Sequence, residues 1–239
     1  MTVAAVILAA SPASALADAA GTPAVRRLVD VAWAGGAIPI VVCAQDPDGA
    51  VSAILANAQG ALVEPVAAVL GAVDQIANGC DAALRLVAET DAVLIWPARF
   101  TWVDAETVTT LIAAHRQDRH DVLRPAFGGD DGFPVLLPMA HLAAFRTLAA
   151  DRMPGELFED LAATGVPVRS IDTGDPGVTH DISATTAGLP PYDGPPGPAD
   201  AHALEWGAAA DPGAADDPDA TDDAPVPGPA RITPANPGS

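Results

Sequence analysis

Hydrophobic residues occur along this chain as short unbroken runs separated by stretches of helical period. Val3–Ala9 is one such run, partly β-branched, and Ile38–Cys43 and Asp91–Trp96 are two more. Runs of this length without polar alternation predict strands covered on both faces. Pro23 to Ala34 places Val25, Leu28, Val29, Val31 and Ala32 at helical spacing and stops at Gly35-Gly36, a helix-end signal. Val66 to Ala88 reads as mostly helical, with interruptions near Gly71 and Gly79. Asp104 is placed to cap a helix running through Thr107, Leu111 and Ile112 to His115. Val122–Phe127 and Phe133–Leu137 flank Gly128-Gly129-Asp130-Asp131-Gly132, a hairpin signal. Helical pattern resumes over Met139–Ala149 and Gly155–Ala163, and Val166–Ile171 is a last strand. Strands alternating with helices predict a three-layer α/β/α sandwich, with a mostly parallel, Rossmann-like sheet and one antiparallel hairpin.

Composition divides the chain. From Leu189 onward Pro, Gly, Ala and Asp dominate, and the large apolar residues Tyr192, Leu204, Trp206, Val226 and Ile232 are scattered. Such a segment buries too little apolar surface to offset a backbone entropy of roughly 1–2 kcal/mol per residue. The expectation is one folded domain over residues 1–189 and a disordered acidic Pro/Ala/Asp-rich tail over 190–239.

The formal net charge is −20, and every basic residue is an arginine, for lysine is absent. A chain this acidic repels phosphate backbones and anionic lipid, so neither nucleic acid nor membrane is expected as a partner. Much of the excess sits in the tail, at Asp211, Asp216, Asp217, Asp219, Asp222 and Asp223. No run approaches the ~20 apolar residues that span a membrane. The apolar opening lacks the basic stretch of a signal peptide and reads better as a strand, which predicts a cytoplasmic protein. Cys43 and Cys80 stand in apolar contexts and read as buried small hydrophobes, not as a disulfide framework or a metal site.

Six phrases, in order from residue 3 to about 188, resemble the MobA-like nucleotidyltransferases, which include the molybdenum cofactor cytidylyl- and guanylyltransferases. Val6-Ile7-Leu8-Ala9-Ala10 resembles the family's first strand entering its nucleotide loop, and Gly21-Thr22-Pro23 the start of the following helix. Gly71 to Gly79 resembles "GPLAGIxxGL", and Asp91–Trp96 the strand that delivers a metal-binding aspartate. Gly132-Phe133-Pro134-Val135-Leu136 resembles "GHPVLF", and Asp181-Ile182 the start of "DIDTPED". The resemblance implies transfer of a nucleotide from CTP or GTP to a phosphorylated acceptor. It implies a glycine-rich loop whose amides approach the triphosphate, basic residues that neutralise it, and carboxylates that hold Mg²⁺.

Against that pattern, three departures stand out. The loop "LAAGxSxRMGxxK" reads here Leu8-Ala9-Ala10-Ser11-Pro12-Ala13-Ser14-Ala15-Leu16-Ala17-Asp18. Its first Gly is Ser11, Pro12 lacks a backbone donor, no basic residue precedes Arg26, and Asp18 adds negative charge. Counting back from Val103-Asp104-Ala105-Glu106-Thr107, which resembles "VTPET", the metal aspartate of "LADQP" falls on Arg99. In the closing motif Asp181 is kept but Ser183 replaces the second aspartate. The candidate site therefore comprises Ala9, Ala10 and Ser11 as a degenerate nucleotide loop, with Asp181 as the only retained metal candidate. The reading is a degenerate nucleotidyltransferase-fold protein, catalytically silent and without a cofactor, serving a small ligand or protein partner as a binding or accessory module. The alternative is an active transferase using Mg²⁺ with CTP or GTP, a molybdopterin-type or sugar-phosphate acceptor, and an atypical loop.

Other polar groups read as structural. His115 and His120 are five residues apart and do not share a helix face, and His141, His180 and His202 fall in no ligand pattern. Asp130-Asp131 reads as a solvated turn, Asp74 as a helix-dipole carboxylate, and Arg26-Arg27 as surface cations. Trp96 and Trp102, flanking the altered metal position, read as core or pocket wall.

Overall fold

The computed structural model describes residues 1–65, 71–192 and 194–195. In chain order the elements are β1 (Thr2–Leu8), α1 (Pro12–Leu16), β2 (Asp18–Ala19), β3 (Thr22–Pro23), α2 (Ala24–Ala34), β4 (Ile40–Cys43), α3 (Ala50–Leu55) and β5 (Gly60–Val63). There follow α4 (Ala72–Leu86), β6 (Thr90–Pro97), α5 (Ala105–Gln117), β7 (Val122–Phe127), β8 (Asp130–Asp131), β9 (Val135–Pro138), α6 (Leu142–Phe145), α7 (Pro154–Ala163) and β10 (Val168–Asp172).

The main sheet has the strand order β10-β7-β9-β6-β1-β4-β5, with β8 paired to β7. The three unbroken apolar runs are neighbours at its centre: β1 pairs in parallel with β4 on one side and with β6 on the other. Val3 to Ile7, Val41, Val42 and Val93 to Trp96 are buried, as strands covered on both faces must be. Helices α2 and α5 pack together, and α7 packs with α4 and α6. These two groups cover opposite faces and make the third and first layers of the sandwich.

The expected antiparallel arms are neighbours in the sheet, β7 pairing with β9 where Leu123 stands opposite Leu136, and the short β8 also pairs with β7 next to the turn. Gly128 and Gly129 take φ of 63° and 94°, a turn that suits residues without a Cβ, and the returning strand is β8. The second arm, β9, lies antiparallel between β6 and β7 and has its longer register with β6. Two expectations change. Gly79 does not interrupt a helix but lies inside α4, where a Cβ would stand 2.4 Å from Val6 Cγ1 and 3.0 Å from Cys43 Sγ. The glycine thus serves close packing of α4 on β1 and β4. Over Met139–Ala149 only a 3-10 turn, Met139–His141, and the single turn α6 form. The short α3 and edge strand β5 escape a reading by period, since β5 is half-buried throughout and opens on Gly60.

Residues 66–70, the start of the expected 66–88 helix, lie outside the described residues, as does the tail from residue 196. Within the described part of the tail, the Tyr192 hydroxyl donates to Glu106 Oε2 at 2.9 Å, on the first turn of α5. Among the described residues no helix is long and apolar enough to cross a membrane.

Candidate functional site

The sheet changes direction of progression at β1. From β1 the chain moves through β4 to β5 on one side, then returns to build β6 on the other. In open α/β sheets such a switch point leaves a crevice outside the carboxyl ends of the two strands, where ligands settle. Here the segments Leu8–Ser11 after β1 and Pro97–Arg99 after β6 lie at that point, joined by the Ala98 N–H donating to the Leu8 carbonyl at 2.8 Å.

Two amides of the segment after β1, those of Ala9 and Ser11, are engaged internally. The Ala9 N–H donates to the Cys43 carbonyl at 2.9 Å, extending the sheet. Ser11 caps α1: Ser14 N–H donates to Ser11 Oγ at 3.1 Å, and Ser11 N–H donates to Ser14 Oγ at 3.0 Å. This reciprocal pair, with Pro12 at the first helical turn, makes the sequence fold into a short helix rather than an open loop. Asp18 Oδ1 accepts from Gly21 N–H at 3.0 Å and closes the β2–β3 turn. Of the three loop candidates, Ala9 is buried, Ser11 half-buried and Ala10 exposed.

Beside these segments the structure brings Arg99 and Asp181 together. Ile182 N–H donates to the Arg99 carbonyl at 2.7 Å, and Trp102 Nε1 donates to the Asp181 carbonyl at 3.1 Å. The approach of this closing segment to the end of β6 is close: a Cβ on Gly177 would lie 2.3 Å from the Trp102 carbonyl oxygen. Asp181 Oδ1 accepts from both the hydroxyl and the N–H of Ser183. These two bonds, then the Arg99 and His180 charges, hold the Asp181 carboxyl below its ordinary range. Ser183 therefore engages this carboxylate through both its hydroxyl and its amide.

A divalent cation does not fit this donor set. It offers one carboxylate, engaged by Ser183, beside a guanidinium that repels the ion. Among the described residues no group of three His, Cys, Asp or Glu side chains is placed to hold a metal.

The remaining candidates have structural work. Arg26 pairs with Asp30 at 2.9 Å on the surface of α2. Arg27 is less peripheral than expected: Nε donates to the Thr101 carbonyl at 2.7 Å, and the guanidinium lies 5.4 Å above the Trp102 ring. Trp96 is fully buried and donates to the Phe100 carbonyl at 2.9 Å. Asp131 pairs with Arg124 at 3.2 Å and accepts from Ser170 at 2.6 Å, so it is a strand-edge anchor more than a free turn residue. Asp74 lies in the first turn of α4. His115 is buried in α5, while His120 lies beyond that helix, exposed, its carbonyl bonded to His141 Nε2 at 2.7 Å. Burial pushes the Cys43 and Cys80 thiols up to about 12, which leaves both unreactive.

Sequence reading missed Asp175. Buried, it accepts from Asp104 N–H at 2.8 Å, Thr107 Oγ1 at 2.7 Å and Gly177 N–H at 2.8 Å, tying the closing segment to the start of α5. Desolvation raises its carboxyl while these bonds pull it down. The turn signal Asp175-Pro176-Gly177 was the one clue available.

The strand order, with its switch point at β1, and the helices around the sheet define a nucleotidyltransferase-like α/β fold. The MobA-like NTP transferase domain model matches residues 5–165, and the chain belongs to that family. Among solved structures it is similar to a nucleotidyl transferase from Methanothermobacter thermautotroptrophicus, at 18% identity and TM-score 0.59, covering 72% of this chain and 87% of that one. It is also similar to Rv0371c from Mycobacterium tuberculosis in complex with manganese, at 18% identity and TM-score 0.55, covering 72% and 88%. A cytidylyltransferase from Leptospira borgpetersenii matches at 12% identity and TM-score 0.56, covering 73% and 77%. Likeness at these identities is a likeness of fold. Among curated protein sequences none matches.

Proposed function

We propose that this chain is a catalytically silent member of its family, a binding or accessory module for a small ligand or a protein partner. The observation that carries the reading is Arg99 set against Asp181 where a metal aspartate is expected. Stabilisation of a transferring phosphoryl group by a metal is worth several kcal/mol, and about 1.4 kcal/mol is tenfold in rate. The loop adds a second obstacle. A triphosphate brings about four negative charges to a segment without a basic residue, at several kcal/mol for the effective dielectric of a protein surface. The amides of Ala9 and Ser11 are already engaged.

The test is nucleotide transfer by the purified chain, with CTP or GTP, Mg²⁺ and a molybdopterin-type acceptor, followed as pyrophosphate release. No turnover is expected, and Arg99→Asp alone does not restore it because the loop still lacks its cradle. Mg²⁺-dependent release by the unmodified chain overturns the reading in favour of an active transferase with an atypical loop.

A further inference from the structure

The end of the sheet at which the parallel strands begin lies opposite Ser11 and Arg99, and its surface is apolar. Met1 precedes β1, Ile38 precedes β4, Trp33 lies in the last turn of α2, and Leu86 ends α4. These are four of the five large hydrophobic side chains exposed among the described residues, each between 43% and 54% open to solvent. Two grooves join them. One, of about 290 Å³, runs between Trp33, Ile38 and Leu86, and the other, of about 300 Å³, between Met1, Ile38 and Arg116. Ile38 is the wall they share, so the surface is continuous between helices from both faces of the sheet.

A side chain of this size exposes roughly 200 Å² when free, so four at about half exposure leave on the order of 400 Å² of apolar area in water. Single exposed hydrophobes are ordinary, but a contiguous patch of that size marks an interaction surface. The charges around it are mixed, although the chain as a whole is strongly acidic. Arg116 and Arg119 stand among Glu89, Asp91 and Asp118. Asp91 and Arg119 are paired with each other at 4.0 Å. Arg116 and Glu89 are exposed, and neither has a partner among the described residues.

We infer that this face joins two copies of the chain in a two-fold dimer, with Trp33, Ile38 and Leu86 of one copy packed on the grooves of the other. Charge favours a second copy over a partner of one sign. The rim carries both signs, and Arg116 and Glu89, each unpaired at home, meet opposite charges when the face meets itself. The area agrees. A standard interface buries about 800 Å² per partner and a homodimer interface is about 65% apolar, so each copy must supply about 500 Å² of apolar surface. The four exposed side chains supply most of it, and the groove walls at Pro39 and Gly60 add to them. An interface of this modest size predicts a dimer that dissociates on dilution. Neither nucleotide transfer nor its loss enters the inference.

The experiment is sedimentation velocity on the full chain over a dilution series, in salt that screens the net charge of −20 on each copy. The unmodified protein is expected to pass from monomer to dimer as its concentration rises. Trp33→Glu and Leu86→Glu, each at an exposed side chain, should weaken the dimer by about tenfold or more without lowering the melting temperature of the dilute monomer. Met153, the fifth exposed hydrophobe, lies at the start of α7, where nearby Ala150 meets Gly71 at the other end of α4. Met153→Glu should therefore leave dimerisation unchanged. A second measurement keeps the contact intact. Cys43 and Cys80 are buried, so in Ile38→Cys the new thiol is the one that reacts with maleimide, and its labelling should slow as dimer forms. A monomer at every concentration, a dimer that survives both glutamates or is lost equally in Met153→Glu, or labelling of Ile38→Cys that ignores concentration overturns the inference.

Discussion

Asp175 and Thr107, 68 residues apart, meet in a buried hydrogen bond of 2.7 Å, and the same carboxylate oxygen also accepts the backbone N–H of Asp104 at 2.8 Å. One side chain thereby satisfies an orphan donor near the start of α5 and holds the closing segment beside Arg99. Asp175→Ala leaves these donors buried without an acceptor and should destabilise the fold by roughly 3 kcal/mol. Asp175→Asn should lose less, because an amide oxygen still accepts in place. Urea denaturation of both variants checks the order, and equal losses would count against the network.

Gly79→Ala adds a methyl group where Val6 and Cys43 leave no room. Overpacking of this kind costs about 1–3 kcal/mol, against a gain in helix propensity of up to ~1 kcal/mol. A net loss in melting temperature is expected, with partial recovery in the double variant Gly79→Ala, Val6→Ala. Additive losses in that pair would show that α4 does not press on β1 at this position.

The Thr101 hydroxyl is buried with no hydrogen-bond partner among the described residues. Thr101→Val keeps the shape and removes the orphan group, so stability should stay level or rise by about 1 kcal/mol. A clear loss on thermal denaturation would reveal a partner for the hydroxyl, such as an ordered water.

His115 is buried with both ring nitrogens unpartnered. Desolvation pushes it below its ordinary range, assisted by Arg119 and opposed by Asp91 and Asp118. The unfolded histidine takes up its proton near pH ~6.5, while the folded one resists until lower pH. In that window the unfolded state binds more protons, so stability is fully present above about pH 6.5 and falls as the pH drops below it. Urea titrations at pH 7.5 and 5.5 should show the wild type losing more stability than His115→Leu across this interval. Equal losses would mean that the ring is solvated.

Much of the fold is legible in the residues themselves. Val3–Leu8, Ile40–Cys43 and, within β6, Ala92 to Pro97 are apolar without alternation, and such strands have nowhere to go but the middle of a covered sheet. Helix α5 carries its own cap in Asp104, whose side chain accepts from Glu106 N–H at 2.9 Å. The loss of basic residues before Arg26 and the arginine at position 99 are equally plain in sequence, because charge needs no geometry to be counted.

What only the tertiary structure decided are relations between distant segments. Sequence marks Phe133–Leu137 as a strand beside Val122–Phe127, but only long-range pairing supplied its second neighbour, with Val135 set against Ile95 in β6. Gly79 looks like a break until Val6 and Cys43 are seen beneath it. Asp175 looks like a turn residue until its carboxylate is found inside the protein. Ser11, read as a lost phosphate glycine, is an N-cap whose partner lies three residues on. Local pattern fixes which residues must be buried, through period and burial energy. Which buried residues meet depends on the chain closing loops many tens of residues long, and no window of the sequence contains that information.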